Sequence, residues 1–187
     1  MKLLIIDASP HVDGSTSQLC INIIDKLNKI EYELIKLSQQ SIGFCQGCQR
    51  CAIKGECFQN DDTFHVMNSI VSSNAVLIVS PSYWGDVPAQ FKRFIDRCLP
   101  YCNTNEHRHP LFDTKKRPEG FAISLRAGSN TNESIKIIKT IEHFLGHLDI
   151  PLSDFCTFEN IRCKDDLMTD LCNKKIDDFI KKIQSSF

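Results

Sequence analysis

Four of the ten cysteines lie close together in a polar stretch, and their spacing suits metal or redox chemistry. They follow the pattern C-x2-C-x2-C-x5-C, at Cys45, Cys48, Cys51 and Cys57. This compact pattern is typical of iron–sulfur ligation, because two-residue gaps let successive thiolates turn towards one centre. Four thiolates would also satisfy the tetrahedral preference of zinc, although two separated C-x-x-C pairs are more usual there. A dithiol redox site, or reduced cysteines that hold no metal, is the remaining interpretation.

A second chemical feature is the hydroxyl-rich segment 9–17, which places Ser9, Ser15, Thr16 and Ser17 around Gly14. It joins a short apolar run to a helical pattern. Unpaired backbone N–H groups and the positive end of a helix dipole favour a phosphate at such a place, and short hydroxyls add donors. Serine and threonine are also ordinary helix N-caps, so a capped loop that binds nothing remains an alternative.

The glycines narrow the class of phosphate ligand. None of the eight glycines is spaced as G-x-G, or as the ends of a P-loop followed by lysine. The sequence therefore lacks both the dinucleotide fingerprint and the Walker A motif. A phosphorylated cofactor held mainly by hydroxyl groups points to a mononucleotide such as FMN.

Two further segments carry side chains suited to a flat heterocycle. Tyr83 and Trp84 stand side by side after an apolar run, with Gly85 next to them. Rings presented there can lie against a planar ring system, and glycine lets the backbone approach its edge. The alternative is that one ring fills a gap under the next helix. The segment 125–130 adds Arg126 and Gly128, which could contact the same planar ligand. Arg126 would equally suit a plain surface position.

Apolar runs and helical patterns alternate along the chain and position these features. The runs predict five strands, at 2–7, 32–37, 75–79, 120–125 and 152–158. Those at 2–7 and 75–79 are continuous, which fits strands buried on both faces of a parallel sheet. Five helical patterns follow the strands, the third opened by Asp86 as a cap and Pro88 as an early-turn proline. The segment 101–118 is polar and predicts a surface excursion.

This alternation predicts an α/β fold with a doubly wound parallel sheet, because parallel neighbours need crossover helices. We expect a single domain over residues 1–187, with a cysteine-rich loop at 43–60. In such a sheet, ligands bind beyond the carboxyl ends of the strands, which is where the hydroxyl-rich and aromatic segments lie.

The overall composition argues against several classes of protein. Lys plus Arg total 22 against 23 Asp plus Glu, for a net charge of −1, whereas a nucleic-acid-binding face normally makes a domain basic. The apolar run Leu3 to Ile6 is too short for a signal-peptide core or a membrane span. We therefore expect a cytoplasmic protein with no nucleic-acid or membrane partner, in which the six scattered cysteines are reduced thiols.

Taken together, these segments resemble a known family. The resemblance is carried by Ser9-Pro-His-x-x-Gly-Ser-Thr, the four-cysteine loop followed by Asp61-Asp62, Ser80-Pro-x-Tyr-Trp-Gly, and Ala89-x-x-Lys92-x-Phe94-x-Asp96-Arg97. In this order they are similar to the iron–sulfur flavoproteins, which belong to the wider NADPH-dependent FMN reductase group. The resemblance runs from residue 1 to about residue 150.

The resemblance implies a flavodoxin-like five-stranded sheet of order 2-1-3-4-5 with FMN in the crevice. It assigns the phosphate to Ser9, His11, Ser15, Thr16, Ser17 and Gln18. It assigns the border of the isoalloxazine to Pro81, Tyr83, Trp84 and Gly85, with Arg126 and Gly128 closing the site. It assigns a [4Fe–4S] cluster that exchanges electrons with FMN to Cys45, Cys48, Cys51 and Cys57, commonly across the interface of a homodimer or a dimer of dimers. His11 departs from the family, which usually has arginine there, and relatives with a similar loop can lack the cluster.

The leading hypothesis is an FMN-dependent oxidoreductase with the cluster, in which flavin does the chemistry and the protein supplies binding and redox tuning. Its electron donor and acceptor would be small molecules or proteins, with NAD(P)H as a candidate donor. An NAD(P)H-dependent FMN or quinone reductase without a cluster is the first rival. A flavodoxin-type carrier usually relies on strong acidity, which a net charge of −1 does not provide.

Two rivals come from other classes of protein. A phosphoacceptor regulator would need an aspartate at the end of the third strand, where this chain has Ser80-Pro81. A zinc-stabilised binding module would be revealed by metal analysis.

Overall fold

The strands form one parallel sheet in the order β2-β1-β3-β4-β5. This computed structural model describes residues 1–108, 111–112 and 117–186. The strands are β1 Lys2–Asp7, β2 Glu31–Lys36, β3 Ala75–Pro81, β4 Glu119–Leu125 and β5 Leu152–Phe158. The predicted flavodoxin-like sheet and its strand order are confirmed, and each predicted strand is found within two residues of its predicted bounds.

Six α-helices occur in the described part of the chain. They are α1 Ser15–Ile24, α2 Arg50–Lys54, α3 Thr63–Val71, α4 Ala89–Arg97, α5 Thr131–His147 and α6 Asp170–Ser185. Five match the predicted helical patterns, whereas α2 is a short helix inside the segment 43–60 that we predicted as loop. Among the described residues, no helix has the length and apolar character needed to cross a lipid bilayer.

The start of α4 differs from the sequence prediction. Pro88 occupies the N-cap position, so Asp86 does not cap this helix. Asp86 lies in the preceding turn, where its carboxylate accepts the N–H of Val87 at 2.8 Å. Part of the predicted surface excursion at 101–118, namely 109–110 and 113–116, lies outside the described residues.

Helices cover both faces of the sheet, which explains the continuous apolar runs. Residues of β1 point alternately to the two sides: Leu4 and Ile6 pack in a core with α3, α4 and α5, while Leu3 and Ile5 pack in a core with α1 and α6. In the first core, the ring of Phe144 meets Phe91 edge-on at 5.5 Å. The central strands are thereby fixed between two apolar layers, which makes their carboxyl ends a rigid platform for loops.

Three loops leave this platform side by side, after β1, β3 and β4. The register pairs Asp7 with Val79 and Pro81 with Leu125. Beyond the strands, the Ala8 N–H donates to the Val79 carbonyl at 2.9 Å and the Ser82 N–H donates to the Leu125 carbonyl at 2.7 Å. The three segments singled out in the sequence therefore begin at one edge of the sheet, as ligand binding in an open α/β fold requires.

Candidate functional site

A buried carboxylate holds the loop after β1 in shape. Asp7 accepts the backbone N–H of Ser9 at 2.9 Å and the hydroxyl of Ser17 at 2.5 Å. Burial raises the pKa of Asp7, although these two hydrogen bonds and the charge of Lys36 act in the opposite direction. We had assigned Asp7 no role from the sequence, where its one signal was a polar residue at the end of an apolar run.

The amino end of α1 is left without a side-chain cap. Gly14 occupies the N-cap position, and a Cβ added there would lie 3.2 Å from the Cβ of His11. Thr16 is buried, while Ser15 and Gln18 are half-buried at the start of the helix. Uncapped N–H groups at a helix start, with hydroxyls beside them, form the arrangement that binds phosphate.

Two lysines from distant parts of the chain reach this loop. Lys36, at the end of β2, donates to the carbonyl of Val12 at 2.7 Å. Lys164 forms an ion pair with Asp13, and its hydrogen bond and charge lower the pKa of that carboxyl. These lysines bring positive charge to the loop that carries His11, and sequence reasoning missed both.

The aromatic segment forms a tight turn with strained backbone. Tyr83 and Asp86 exchange two backbone hydrogen bonds, at 2.9 and 3.0 Å. Between them, Trp84 and Gly85 have φ angles of 54° and 69°, in the left-handed region that a bulky side chain rarely adopts. Trp84 is fully exposed, so its ring does not fill a gap under the next helix. Because the left-handed backbone at Trp84 does not serve to pack its ring, it indicates a functional constraint on this turn.

Arg126 is engaged in an ion pair in the third loop. Its Nη2 lies 2.7 Å from the Glu133 carboxylate, and its Nη1 donates to the Asn130 carbonyl at 2.5 Å. A Cβ added at Gly128 would come within 2.9 Å of the guanidinium, and one added at Gly85 would come within 3.4 Å of Glu133. The aromatic turn and the third loop therefore meet around this ion pair, and Arg126 is not a free surface cation.

An open cavity of about 500 Å³ lies between these two loops. Five of the predicted site residues line it: Tyr83, Trp84, Gly85, Arg126 and Gly128. Its size lies within the range of about 300–1,000 Å³ that is usual for small-molecule sites. Pro81 ends β3 just before this turn. The phosphate-type loop does not line the cavity, but it begins from the neighbouring strand.

The cysteine-rich segment turns back on itself around α2. Left-handed backbone occurs at three positions, Gly47, Gln49 and Gly55, with φ angles of 61°, 58° and 73°. Cys45 and Cys48 are exposed. Cys51 and Cys57 are half-buried. Glycine supports such turns without strain, which is how Gly47 and Gly55 let the loop wrap.

The four thiols lie near enough to influence one another electrostatically. Burial raises the pKa of Cys51, and charge on Cys57, Cys45 and Cys48 raises it further. Across the residues that the structure describes, no three His, Cys, Asp or Glu side chains form a group suited to a single metal ion. The four thiolate donors of this loop are of the type that iron–sulfur centres use, although the structure does not bring three of them together around one point.

A buried arginine fastens both ends of this loop. Arg97, at the end of α4, donates through Nη1 to the Gly43 carbonyl at 3.0 Å, which lies just before the first cysteine. Its Nη2 donates to the Gln59 carbonyl at 3.2 Å and lies 3.4 Å from Cys57 Sγ. The Arg97 guanidinium also pairs with Asp61 at 2.5 Å. One side chain thus fixes the loop and places an N–H group against a predicted ligand.

The partner of Arg97 is held as a carboxylate. Burial alone would raise the pKa of Asp61, but hydrogen bonds from Arg97, Thr63 and Gly43 outweigh it and lower the pKa to about 2. In the sequence, Asp61 and Arg97 served only as marks of family resemblance. They are 36 positions apart, and no spacing rule predicts that they pair.

The fold and site together define a flavodoxin-like α/β protein with a phosphate-type loop, an aromatic turn and a thiol loop. The chain belongs to the NADPH-dependent FMN reductase family, whose model matches residues 1–114. It is thus a member of a family of FMN-dependent reductases, and its curated relatives include iron–sulfur flavoproteins. The predicted family is confirmed.

Two relatives illustrate the likeness in sequence. An iron-sulfur flavoprotein of Archaeoglobus fulgidus is 36% identical over 137 residues, which cover 72% of this chain and 59% of that protein. An iron-sulfur flavoprotein of Methanocaldococcus jannaschii is 28% identical over 82% of this chain and 77% of that protein. The match therefore spans less than two thirds of the Archaeoglobus relative's length.

Two solved structures illustrate the likeness in fold. An FMN-dependent NADH-azoreductase from Bacillus anthracis, in complex with FMN, aligns with a TM-score of 0.68 and 15% identity over 97% of this chain and 98% of its own. An NAD(P)H:quinone oxidoreductase from Methanothermobacter marburgensis aligns with a TM-score of 0.66 and 16% identity over 100% of this chain and 95% of its own. At these identities the likeness shows the flavodoxin-like fold.

Proposed function

We propose that this chain is an FMN-dependent oxidoreductase in which a [4Fe–4S] cluster on the four-cysteine loop exchanges electrons with the flavin. The observation that carries the proposal is the anchored thiol loop: Arg97 holds the chain on both sides of the four cysteines and points an N–H group at Cys57. The Asp61 carboxylate compensates the charge of this guanidinium, and its remaining N–H groups hold the loop and face one of the four sulfurs.

The flavin would lie across the carboxyl ends of β1, β3 and β4. Backbone N–H groups at the start of α1 would hold its phosphate together with Ser9, His11, Ser15, Thr16, Ser17 and Gln18. Pro81, Tyr83, Trp84 and Gly85 would border its ring system, with Arg126 and Gly128 closing the site. When bound, FMN supplies transfer of a hydride or of single electrons. The protein binds and orients it, and no protein nucleophile is required.

The residues of the cysteine loop would act as ligands and as their support. Cys45, Cys48, Cys51 and Cys57 would bind the iron, and such a centre supplies single-electron transfer. Arg97 would stabilise negative charge on the sulfur of Cys57 through its N–H group. The ion pair with Asp61 keeps the guanidinium in that position whatever the state of the thiols.

We further propose that the functional form is a homodimer of one-domain chains, with NAD(P)H or a reduced protein as the donor. Phe44, Ile53 and Phe58 are exposed large apolar side chains on and beside the cysteine loop. Clustered apolar exposure of this kind favours association, here with a second copy of the chain. Light scattering during size-exclusion chromatography measures this directly, and a monomer at all concentrations contradicts it.

The decisive experiment is purification without oxygen, followed by absorption spectra and analysis of iron, sulfide and zinc. We expect flavin bands and about four irons per chain. Cys48→Ser should lose the iron and keep the flavin, whereas Cys163→Ser, also at an exposed thiol, should keep both. Flavin without iron would refute the cluster, and zinc in its place would identify a structural site. Failure to bind FMN at saturating concentration would refute the whole proposal.

A further inference from the structure

A second group of reactive side chains lies at the end of α5, and the proposed flavin and cluster chemistry does not use it. Cys102 Sγ lies 3.3 Å from His147 Nδ1. On the other side of the same ring, His147 Nε2 lies 3.0 Å from His143 Nε2. The two histidines are four positions apart on one helix, so their side chains share a face. Together the Cys102 thiol and the two imidazoles form a hydrogen-bonded series, in which His147 lies between the sulfur and His143.

The side-chain amide of Asn103 indicates which ring nitrogen of His147 carries a proton. Asn103 Nδ2 donates to the Gly146 carbonyl at 2.9 Å and lies 3.2 Å from the Asp149 carboxylate, so the amide nitrogen is directed towards these acceptors. Asn103 Oδ1 therefore faces His147 Nδ1, at 3.2 Å. An amide oxygen can only accept, so His147 Nδ1 carries a proton. That same N–H group faces Cys102 Sγ, which makes the sulfur an acceptor.

A second donor reaches the same sulfur. The hydroxyl of Thr104 lies 3.1 Å from Cys102 Sγ and is free to direct its proton at it. Two donors facing one sulfur stabilise its thiolate form, because hydrogen bonds to a charged form favour that form. His143 lies against the other ring nitrogen, Nε2, so His147 keeps its Nδ1 proton directed at the sulfur and the thiol proton leaves to water.

The thiol opens onto a cavity of about 400 Å³ between α4 and α5. Its apolar lining includes Ile95, Leu99 and Phe144, which suits the organic part of a small molecule. Cys98 lines the same cavity but is buried and donates to the Phe94 carbonyl, and burial raises its pKa well above the ordinary value. Of the two cysteines that line this cavity, Cys102 is the one that is accessible and has hydrogen-bond donors facing its sulfur.

The charged groups around the thiol are few in the described structure. Lys92 and Asp96 of α4 lie at the same cavity and pair with each other. Asp149 is held by Asn103 and by an ion pair with Arg108 at 2.6 Å. Both carboxylates are thus compensated, and the two histidines are the titratable groups that face the sulfur directly.

We propose that Cys102 is a nucleophilic thiolate that forms a mixed disulfide with a low-molecular-weight disulfide seated over this cavity. The Cys102 sulfur attacks one sulfur of the disulfide, a new S–S bond forms, and the old S–S bond breaks. The thiol proton is lost to water before the attack, and the half of the reagent that leaves as a thiolate takes up a proton from water. No further oxidant is needed, since the disulfide itself is reduced. The proposal does not depend on flavin or cluster.

The test compares two thiols of the same chain. Cys163 is more exposed than Cys102, but its Sγ faces the Asp166 carboxylate at 3.5 Å instead of an imidazole. The protein is treated at pH 7 with substoichiometric 4,4′-dithiodipyridine, quenched by alkylation, digested and mapped by mass spectrometry. We expect Cys102 to react about threefold faster than Cys163, because two hydrogen-bond donors face its sulfur. Equal or slower reaction at Cys102 overturns the proposal.

Variants locate the cause of the reactivity. His147→Ala should reduce the rate at Cys102 to that at Cys163, whereas His65→Ala, at an exposed histidine on α3, should leave it unchanged. An unchanged rate in His147→Ala refutes the role of the imidazole. The wild-type protein supplies a check that needs no variant: mapping should place the first mixed disulfide at Cys102, and a first adduct at any other thiol refutes the inference.

Discussion

The ion pair between Asp61 and Arg97 predicts a specific dependence of stability on pH. The pKa of Asp61 falls from an ordinary value of 3.8 to about 2 in the folded protein. Each unit is worth about 1.4 kcal/mol, so the difference corresponds to about 2 kcal/mol. Because the folded pKa is the lower one, this stabilisation is complete above about pH 5 and disappears as the pH falls towards about 2. The side chain is only 15% exposed, which limits screening by solvent.

Urea unfolding of the wild type and of Asp61→Asn, from pH 7 down to pH 2.5, measures this contribution. At pH 7 the variant should be less stable by several kcal/mol, because it leaves the buried Arg97 charge without its partner. The gap between the two proteins should shrink by about 2 kcal/mol as the wild type loses its own pairing in acid. Asp25→Asn, at an exposed carboxylate after α1, controls for the loss of one charge.

The result that would refute this reasoning is a gap that stays constant across the pH range. A constant gap means that the Asp61 carboxyl titrates alike in the folded and unfolded chains, so its contacts would not favour the charged form. Arg97→Met supplies an independent check, because it should flatten the acid side of the wild-type curve in the same way. If Arg97→Met kept the wild-type dependence of stability on pH, that dependence would arise from the titration of other carboxyl groups.

Three further predictions concern stability, the aromatic turn and the cysteine loop. Gly120→Ala should lower the free energy of unfolding in urea by about 1–3 kcal/mol, because its Cβ would meet the Pro151 carbonyl at 2.7 Å. Gly146→Ala on α5 should instead raise it by up to about 1 kcal/mol, since the added Cβ meets nothing within 4 Å. Trp84→Gly should stabilise the flavin-free protein by about 1 kcal/mol through relief of left-handed strain, yet weaken FMN binding about tenfold in a fluorescence titration. Arg97→Lys should lower the iron content without changing the flavin content, because a lysine lacks the planar fork that reaches several partners at once.

Each of these predictions has an outcome that contradicts it. Equal stability of the two glycine variants would show that the structure around Gly120 moves to accommodate a Cβ with no loss of stability. Unchanged FMN affinity in Trp84→Gly would remove this ring from the flavin site, and the strain would then need another reason. Full iron content in Arg97→Lys would mean that the cysteine loop assembles without the guanidinium network.

The strands followed from local patterns because burial on both faces leaves a continuous apolar signal, whereas their order in the sheet followed from the family resemblance. Continuous runs such as 75–79 are typical of strands buried on both faces, and the strand ends then place the hydroxyl-rich and aromatic segments at one edge. The family resemblance added which residues would meet FMN. Both steps use information that lies within a few residues along the chain.

Contacts between distant residues could not be predicted in this way. Asp61 and Arg97 are 36 positions apart, and Cys102 and His147 are 45 apart. Their pairing depends on the packing angle of helices and on side-chain rotamers, which no local pattern encodes. The short helix α2 was missed for a different reason: it has one turn and buries no residue, so it carries no apolar periodicity.

Helix α4 joins the two halves of the proposed site. It begins directly after the turn that presents Tyr83 and Trp84, and it ends at Arg97, which fastens the cysteine loop. Its nine residues rise about 13 Å along the axis, and its buried face is fixed by Phe91 and Phe94 against α5. A shift of the aromatic turn on flavin binding would therefore be carried as a rigid displacement towards Arg97 and Cys57. For that reason, substitutions at Phe94 should disturb iron and flavin contents together, whereas Arg97→Lys should change the iron alone.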